Sequence, residues 1–409
     1  MMPSPEGCGV SMRSFRVLQT LATNHQVHLV CVEIFAAHKT KESEQALAKL
    51  CESITWARPK LPANLVIRFM RFIRGRFPCL FHKIEKRPLD YACASLINKK
   101  SLDQALCRSY EKIFAFKLYL DPVTKLFIEA SPGARFYQDV DDIESITRIR
   151  IARLYREHGK LCEADLCEAE SAFYLALETS IVSRSCMSFV SSEIDRQKFC
   201  RRTGGTNIAV LPNVYPTVRV KTRQSVNGAF TFLFIGSFGY FPNHDAAVWL
   251  CENVIPKVVA SSTISVSFRF VGAASSHELK GIIKATQGAE FIGPTPDIES
   301  AYSGVNAVVV PIRAGGGTRI KLLEAFSFGV PAVSTTMGME GIDCEPEVHI
   351  LLADTSEKFA AQCLRLIESS ELRRSLCEAG RELLDRKYQP GMINQCLNQL
   401  PAETLGTGG

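Results

Sequence analysis

The stretch that most restricts this chain runs from Val308 to Ile342 and reads VVVPIRAGGGTRIKLLEAFSFGVPAVSTTMGMEGI. Its β-branched approach, Ala307 to Val310, has the composition of a strand buried on both faces of a parallel sheet. Pro311 stops that strand, and Gly315, Gly316 and Gly317 then make a turn whose backbone N–H groups no Cβ shields. Helical spacing follows over Thr318 to Phe328, with Ile320, Leu323, Phe326 and Phe328 on the apolar side, and Gly329 and Pro331 end it. Pro331 to Thr335 is a second short strand. A glycine turn feeding a helix N-terminus offers N–H donors and the positive end of a dipole to an anion. Arg319 and Lys321 fall in the first turn, where the dipole disfavours cations unless an anion docks there. A solvated loop is the competing reading for a glycine cluster alone. The strand before the turn, the helix after it and Glu324 within that helix favour an anion site.

The run GGGTRIKLLEAFSFGVPAVST, with GMEG after it, resembles the donor-site signature of retaining glycosyltransferases of family 4, which have the GT-B fold. The resemblance continues in order through residues 232–250, 268–273, 290–311 and 349–367, strong in the C-terminal half and weak in the N-terminal half. It implies an α/β chain with two Rossmann-like domains whose parallel sheets face a central cleft. A pair of glutamates holds the nucleotide sugar in such enzymes. The second corresponds to Glu324, which the resemblance makes an acceptor for ribose hydroxyls. The first falls on Gly316, so this chain departs there and its sugar-hydroxyl contact stays unassigned. The family's Arg and Lys after the first strand of this domain are also missing from Gly236–Pro242, which leaves Arg319 and Lys321 as diphosphate partners. Glu340 matches a recurring Glu of the family.

The function this implies is sugar transfer from a nucleotide diphosphate sugar to a saccharide or lipid-linked acceptor. The setting is cell-surface polysaccharide or glycolipid synthesis, with a hexosyl donor and retention of configuration. A nucleotide-sugar epimerase or hydrolase, and a non-catalytic scaffold, are the alternatives. Because Arg319 and Lys321 supply the cations, no metal and no cofactor beyond the donor are expected.

At 409 residues, two domains are the natural division: 1–214, a linker at 215–228, 229–387, and a C-terminal segment at 388–409. Apolar content of 46% supplies two cores, and no apolar run reaches the ~18 residues of a membrane span. The start, MMPSPEGCGV, lacks the basic and apolar regions of a secretory signal. Fifteen scattered cysteines without a C-x-x-C pair argue for reduced core thiols in a cytosol rather than a disulfide framework or zinc site. The net charge of +6 is local. Arg58 to Arg87 holds nine Lys and Arg against Glu85 alone, and the other residues nearly balance.

In the N-terminal half, Pro3 to Gly9 is a loop, Ser11 caps a helix with Phe15, Leu18 and Leu21 on one face, and Val27 to Phe35 is a buried strand. The family places a first strand before such a loop, yet only Met1 and Met2 precede Pro3. That central strand is expected to be absent: the start lies upstream, the chain is truncated, or the sheet is built differently. By the same resemblance Gly7, Gly9 and Arg13 face the cleft on the acceptor side, although Arg13 reads equally as an exposed helix residue. Leu65 to Arg76 sets Arg68, Arg71 and Arg74 on one stripe, with Val66, Phe69, Met70 and Ile73 on another. Such a helix suits an anionic membrane surface, and the alternative is a core-facing helix with a solvated face. No nucleic-acid motif is present.

Lys112 to Leu120 is a weak strand, Pro122 to Ala130 a helix and Ala134 to Gln138 a strand that runs into Asp139, Asp141 and Asp142. Ligands of open parallel sheets bind beyond strand carboxyl ends, so Asp139 is the candidate for engaging an acceptor hydroxyl. Capping of the next helix by Asp141 or Asp142 is the other reading. One long helix is expected over Ile143 to Thr179, then a strand at Met187 to Val190, a capping box at Ser192–Asp195 and a strand at Ile208 to Leu211. Beyond the linker, strands and helices alternate: Phe230–Ile235, Asn243–Ala260, Ser265–Val271, Ser275–Thr286, Glu290–Ile292 and Ile298–Ser303. Gly236, Gly239, Gly272 and Gly293 lie at strand carboxyl ends and would let a flat base approach the backbone, beside Gly315, Gly316, Gly317 and Thr318. His244 reads as a surface residue near a cap. A strand at Val348–Leu352 and helices at Thr355–Ser369 and Glu371–Lys387 complete the chain, with a disordered tail after Pro401.

Overall fold

In the computed structural model, residues 2–5, 9–34, 41–59, 61–218, 228–273, 276–295, 297–317 and 320–398 are described. Gly7, Thr318, Arg319 and the tail after Pro401 lie outside the described residues. The fold is α/β, with two Rossmann-like bodies. One comprises Met1–Asn213 with Gly391–Gly409, and the other Val214–Pro390.

The second body carries one six-stranded, all-parallel sheet. Its strands are β7 (Phe230–Ile235), β8 (Val266–Val271), β9 (Ala289–Gly293), β10 (Ala307–Val310), β11 (Ala332–Ser334) and β12 (Leu351–Leu352). They are ordered β12-β11-β10-β7-β8-β9, so the order reverses between β10 and β7. Alternation of strand and helix produces this: each crossover covers a sheet face, and strands buried on both faces become runs such as AVVV and FTFLFI. The expected helix over 243–260 is three pieces. An α-helix, Phe241–Trp249, passes through a wide turn at Leu250–Val254 into Ile255–Ser261. Pro256 supplies no N–H to the ladder, and the turn widens just before it. Tyr215, expected in a linker, is buried and donates its N–H to the Tyr388 carbonyl at 2.8 Å.

In the first body the parallel strands fall into two sheets. β1 (His28–Val32) pairs with β2 (Ser53–Ala57). β3 (Lys112–Phe116), β4 (Arg135–Asp141), β5 (Met187–Val190) and β6 (Ile208–Val210) form the other, in that order. Val30 and Val32 of β1 and Ile113 of β3 pack on one cluster around Ala57, Leu102, Ala105, Val123 and Phe127. The two sheets therefore share a core without a hydrogen-bonded ladder between β1 and β3 among the described residues. The helix expected over 143–179 is two, Glu144–Glu157 and Leu161–Arg184, because Gly159 turns left-handed at φ +68° between them. Ser11 sits inside the Gly9–Asn24 helix rather than capping it. The helix Gly391–Asn398 returns to this body, where Ile393 and Leu397 are buried.

Cysteine chemistry departs from the expectation of reduced thiols. Cys79 and Cys162 form a disulfide that joins the Pro78–Ile84 helix to the Leu161–Arg184 helix. Their separation of 83 residues gives no local spacing to read. Cys93, Cys167, Cys251, Cys344 and Cys363 are free and buried.

The ends of β7 and β8 approach more closely than a side chain allows. Gly272 follows β8 at φ +138°, and a Cβ there would overlap the Gly236 carbonyl oxygen. Gly272→Ala is expected to destabilise the second body by more than about 2 kcal/mol in urea unfolding. Gly281→Ala, in a helix with nothing near its would-be Cβ, should be neutral or stabilising.

Candidate functional site

Gly236 after β7, Gly272 after β8 and Gly293 ending β9 stand side by side at the carboxyl edge of the sheet. The Gly236 N–H donates to the Val271 carbonyl at 3.0 Å, and the Gly272 N–H to the Gly293 carbonyl at 2.9 Å. Gly239 lies in the exposed turn beyond Gly236. Gly315, Gly316 and Gly317 follow β10, the strand next to β7. Gly315 at φ +122° and Gly317 at φ +70° hold a turn that side chains resist. The structure thus brings six of the predicted glycines to strand ends along one edge, with Gly236 and Gly315–Gly317 flanking the point where the sheet order reverses, the usual ligand position in open parallel sheets.

The Ile320–Ser327 helix delivers Lys321 to the same edge. The Lys321 ammonium donates to Asn243 Oδ1 at 2.7 Å and lies 5.1 Å from the centre of the Phe234 ring. A Cβ on Gly236 would come within 2.8 Å of Lys321 Nζ, so the glycine keeps room for the cation. Asn243 in turn donates Nδ2 to the Ser237 carbonyl at 2.8 Å, tying the Gly236 turn to the lysine. Two residues to its C-terminal side, Asp245 is fully buried and accepts from Arg313 Nε at 2.9 Å. The first two turns of the Phe241–Trp249 helix therefore hold a cation from each side of the 315–317 turn. Sequence reading missed Asn243, Asp245 and Arg313. The only signal was a helix start whose polar residues stand two apart and turn inward.

Glu324 lies one turn beyond Lys321. It is nine-tenths buried, and burial pushes its carboxyl up to about 7 while Lys321 pulls the other way. Such a group is ready to ionise when hydrogen-bond donors reach it. Glu340 ends the short helix Thr336–Met339 and is half-buried. His244 is half-buried.

In the first body the acidic run at the end of β4 meets two cations. Arg13, expected at a cleft or exposed, is instead buried. It donates Nε and Nη2 to the two oxygens of Asp139 at 2.9 and 2.8 Å, and Nη1 to the Leu211 carbonyl at 2.8 Å and Asn213 Oδ1 at 3.1 Å. Asp139 is wholly buried, so its carboxylate is committed to Arg13 and not open to an acceptor hydroxyl. That corrects the catalytic expectation: a strand-end position does not by itself make a carboxylate accessible. Asp141 does not cap the following helix, whose first residue is preceded by Ile143. It pairs with Lys117 at 2.8 Å, and Asp142 lies 3.8 Å from the same ammonium. Lys117 and Asp141 take φ values of +60° and +59°, two strained backbones facing each other across one ion pair. Burial opposes the charge on Lys117, but Asp141, Asp142 and Glu144 raise its pKa well above the ordinary lysine range. Burial also opposes ionisation of Asp141, and Lys117 with Arg13 outweighs it to hold that carboxyl below its usual range. Gly9 opens the Gly9–Asn24 helix that carries Arg13.

Residues 229–369 match the family described as Glycosyl transferases group 1. The fold is that of GT-B glycosyltransferases of known structure. Anabaena HepE, solved with UDP and glucose, is 14% identical; the alignment covers 100% of this chain and 98% of that one, with a TM-score of 0.66. Sucrose-phosphate synthase from Thermosynechococcus elongatus is 14% identical over 99% of this chain and 95% of that one, with a TM-score of 0.64. A glycosyltransferase from Rickettsia africae is 10% identical over 98% and 96%, with a TM-score of 0.62. No curated protein matches.

Two expected outcomes follow from this geometry. Arg13→Ala leaves the Asp139 carboxyl buried without its guanidinium, and should cost about 3–5 kcal/mol in urea unfolding. The pair of changes Arg13→Met and Asp139→Leu should recover most of that loss. For Glu324 the folded carboxyl releases its proton less readily than the unfolded one. Its ionisation therefore erodes stability as pH rises from about 4.5 through about 7. Glu324→Gln is expected to raise the melting temperature at pH 8 and to change it little at pH 5, with a stabilisation of up to ~3 kcal/mol.

Proposed function

We propose, from the match of residues 229–369 to the family described as Glycosyl transferases group 1, that this chain transfers a hexosyl group, with retention, from a nucleotide diphosphate sugar to a saccharide or lipid-linked acceptor. The observation that carries this reading is the Lys321 ammonium, held by Asn243 over Gly236 beside the 315–317 turn, with buried Glu324 one helical turn away. Cleavage of the bond between the anomeric carbon and the diphosphate sends its electron pair to the departing phosphate. A new bond forms to the acceptor oxygen, and the acceptor hydroxyl loses its proton. Charge therefore develops on the diphosphate, and preorganised donors there lower the barrier.

In this reading Lys321, Arg319 and the N–H groups of Gly315 to Thr318 take that charge, and Gly236, Gly239, Gly272 and Gly293 leave space for base and ribose. Glu324 accepts from the ribose hydroxyls, and Glu340 adjoins the donor. Anabaena HepE was solved with UDP-glucose, which supports a nucleotide-sugar donor. Acceptor engagement passes from Asp139 to Asp142, whose side chain is 29% exposed. The resident cations make a metal unnecessary, and EDTA should leave turnover unchanged. A lipid-linked acceptor, in glycolipid or surface polysaccharide synthesis, would put the enzyme to work at the inner face of a membrane. A non-catalytic scaffold has one observation in its favour, Gly316 where the family carries an acid.

Lys321→Ala is expected to lower release of nucleoside diphosphate from donor sugars about 10²–10³-fold with the melting temperature unchanged. Unchanged turnover would remove the diphosphate assignment. Glu324→Gln should weaken binding of the free nucleoside diphosphate in calorimetry, and an unaltered affinity would remove the ribose role. No heat with any UDP or GDP sugar would favour the scaffold.

A further inference from the structure

The large exposed hydrophobic side chains of this chain are unevenly spread. Thirteen stand out among the described residues, and seven of them lie between Leu65 and Ile84: Leu65, Val66, Phe69, Phe72, Phe77, Leu80 and Ile84. Six sit on two successive helices, Leu61–Arg76 and Pro78–Ile84, and Phe77 lies between them.

These helices do not need that surface for packing. Their inward face is already satisfied: Ile73 and Phe81 are buried against Leu166, with Met70 and Leu89 around them. Ile67 is buried as well. Arg74, which the sequence places on a basic stripe, points inward and pairs with Glu170 at 2.9 Å, where Arg148 also pairs at 2.9 Å. The Cys79–Cys162 disulfide fixes the second helix to the same support. The alternative reading, a core-facing helix with Val66, Phe69, Met70 and Ile73 inward, fails in part, because Val66 and Phe69 face outward.

What remains outside is apolar and cationic together. Leu65, Phe69 and Phe72 form one stripe at helical spacing, flanked by the exposed Arg68, Arg71 and Arg76, and Lys83 and Lys86 extend the charge. Neither helix contains an acidic residue. Glu85, just beyond, is engaged by Arg87 at 2.8 Å. Arg76 lies 5.8 Å from the Phe77 ring centre, and Phe72 packs edge-on to Phe77. Aliphatic Leu65, Val66, Leu80 and Ile84 offer nothing to stack on a base or to bond its edge. They fit acyl chains, with guanidinium groups reaching the headgroups above.

We infer that the Leu61–Arg76 and Pro78–Ile84 helices form a docking surface for an anionic lipid bilayer, lying in the plane of the interface with Phe69, Phe72 and Leu80 below the headgroups. The inference stands on this surface alone and needs no assumption about the reaction. Helices that lie in the plane of the interface attach peripherally; among the described residues no helix is long and apolar enough to cross a membrane.

The test is co-sedimentation of the full chain with phosphatidylcholine vesicles, alone or containing phosphatidylglycerol, at low and high salt. Binding is expected only with phosphatidylglycerol and should fall as salt rises. The exposed-site variant Phe69→Ser with Phe72→Ser should weaken partitioning at least about tenfold with an unchanged melting curve. Arg68→Gln with Arg76→Gln should weaken it and flatten its salt dependence. Absent binding, or binding that both variants retain, overturns the inference. So does a concentration-dependent dimer in light scattering that the phenylalanine variant abolishes while vesicles go unbound. Equal or tighter binding to single-stranded RNA than to anionic vesicles overturns it too.

Discussion

A lysine ammonium set among strand ends is the interaction on which the second body's site depends. Lys321 is held against the ring of Phe234 and the amide of Asn243. An amide oxygen and a ring face thus meet its charge with dipoles. Around it the backbone has had to give way: Gly236 leaves the room, and Gly272 can stand beside the Gly236 carbonyl only because it has no Cβ. The Phe241–Trp249 helix then closes the arrangement through Asn243 and Asp245. Buried Glu324, whose carboxyl burial raises to about 7 against the pull of Lys321, lies one turn along the same helix.

The first body treats charge in the opposite way. Arg13, Asp139, Asp141 and Lys117 saturate one another at the ends of β3 and β4. The two left-handed residues, Lys117 and Asp141, bend the backbone so that their side chains meet. Of the acidic run only Asp142 keeps appreciable exposure. A fully paired buried cluster gives rigidity to strand ends.

How much of this was legible depends on range along the chain. The glycine turn was readable because its parts are consecutive: a strand, three glycines and a helix with Lys321 and Glu324 on it. The same local logic recovered β7, β8 and β10 nearly to the residue. Arg13 with Asp139 was not readable, since 126 residues separate the partners and each looked free alone. Asp245 with Arg313 failed for the same reason, as did Cys79 with Cys162. The basic helix was recognised but its rotation was not. Spacing marks Val66, Phe69, Met70 and Ile73 as apolar, yet only contact with Leu166 and Glu170 decides which of them turn inward.

Composition and periodicity by themselves determined the alternation of strands and helices, hence a parallel α/β fold. They also determined the glycine turn and the local excess of positive charge, because these follow from steric freedom and side-chain pattern within a few residues. Tertiary structure alone decided which charges are cancelled and which stay available. Pairing of buried ions is a matter of distance in space, and sequence separation carries no record of it.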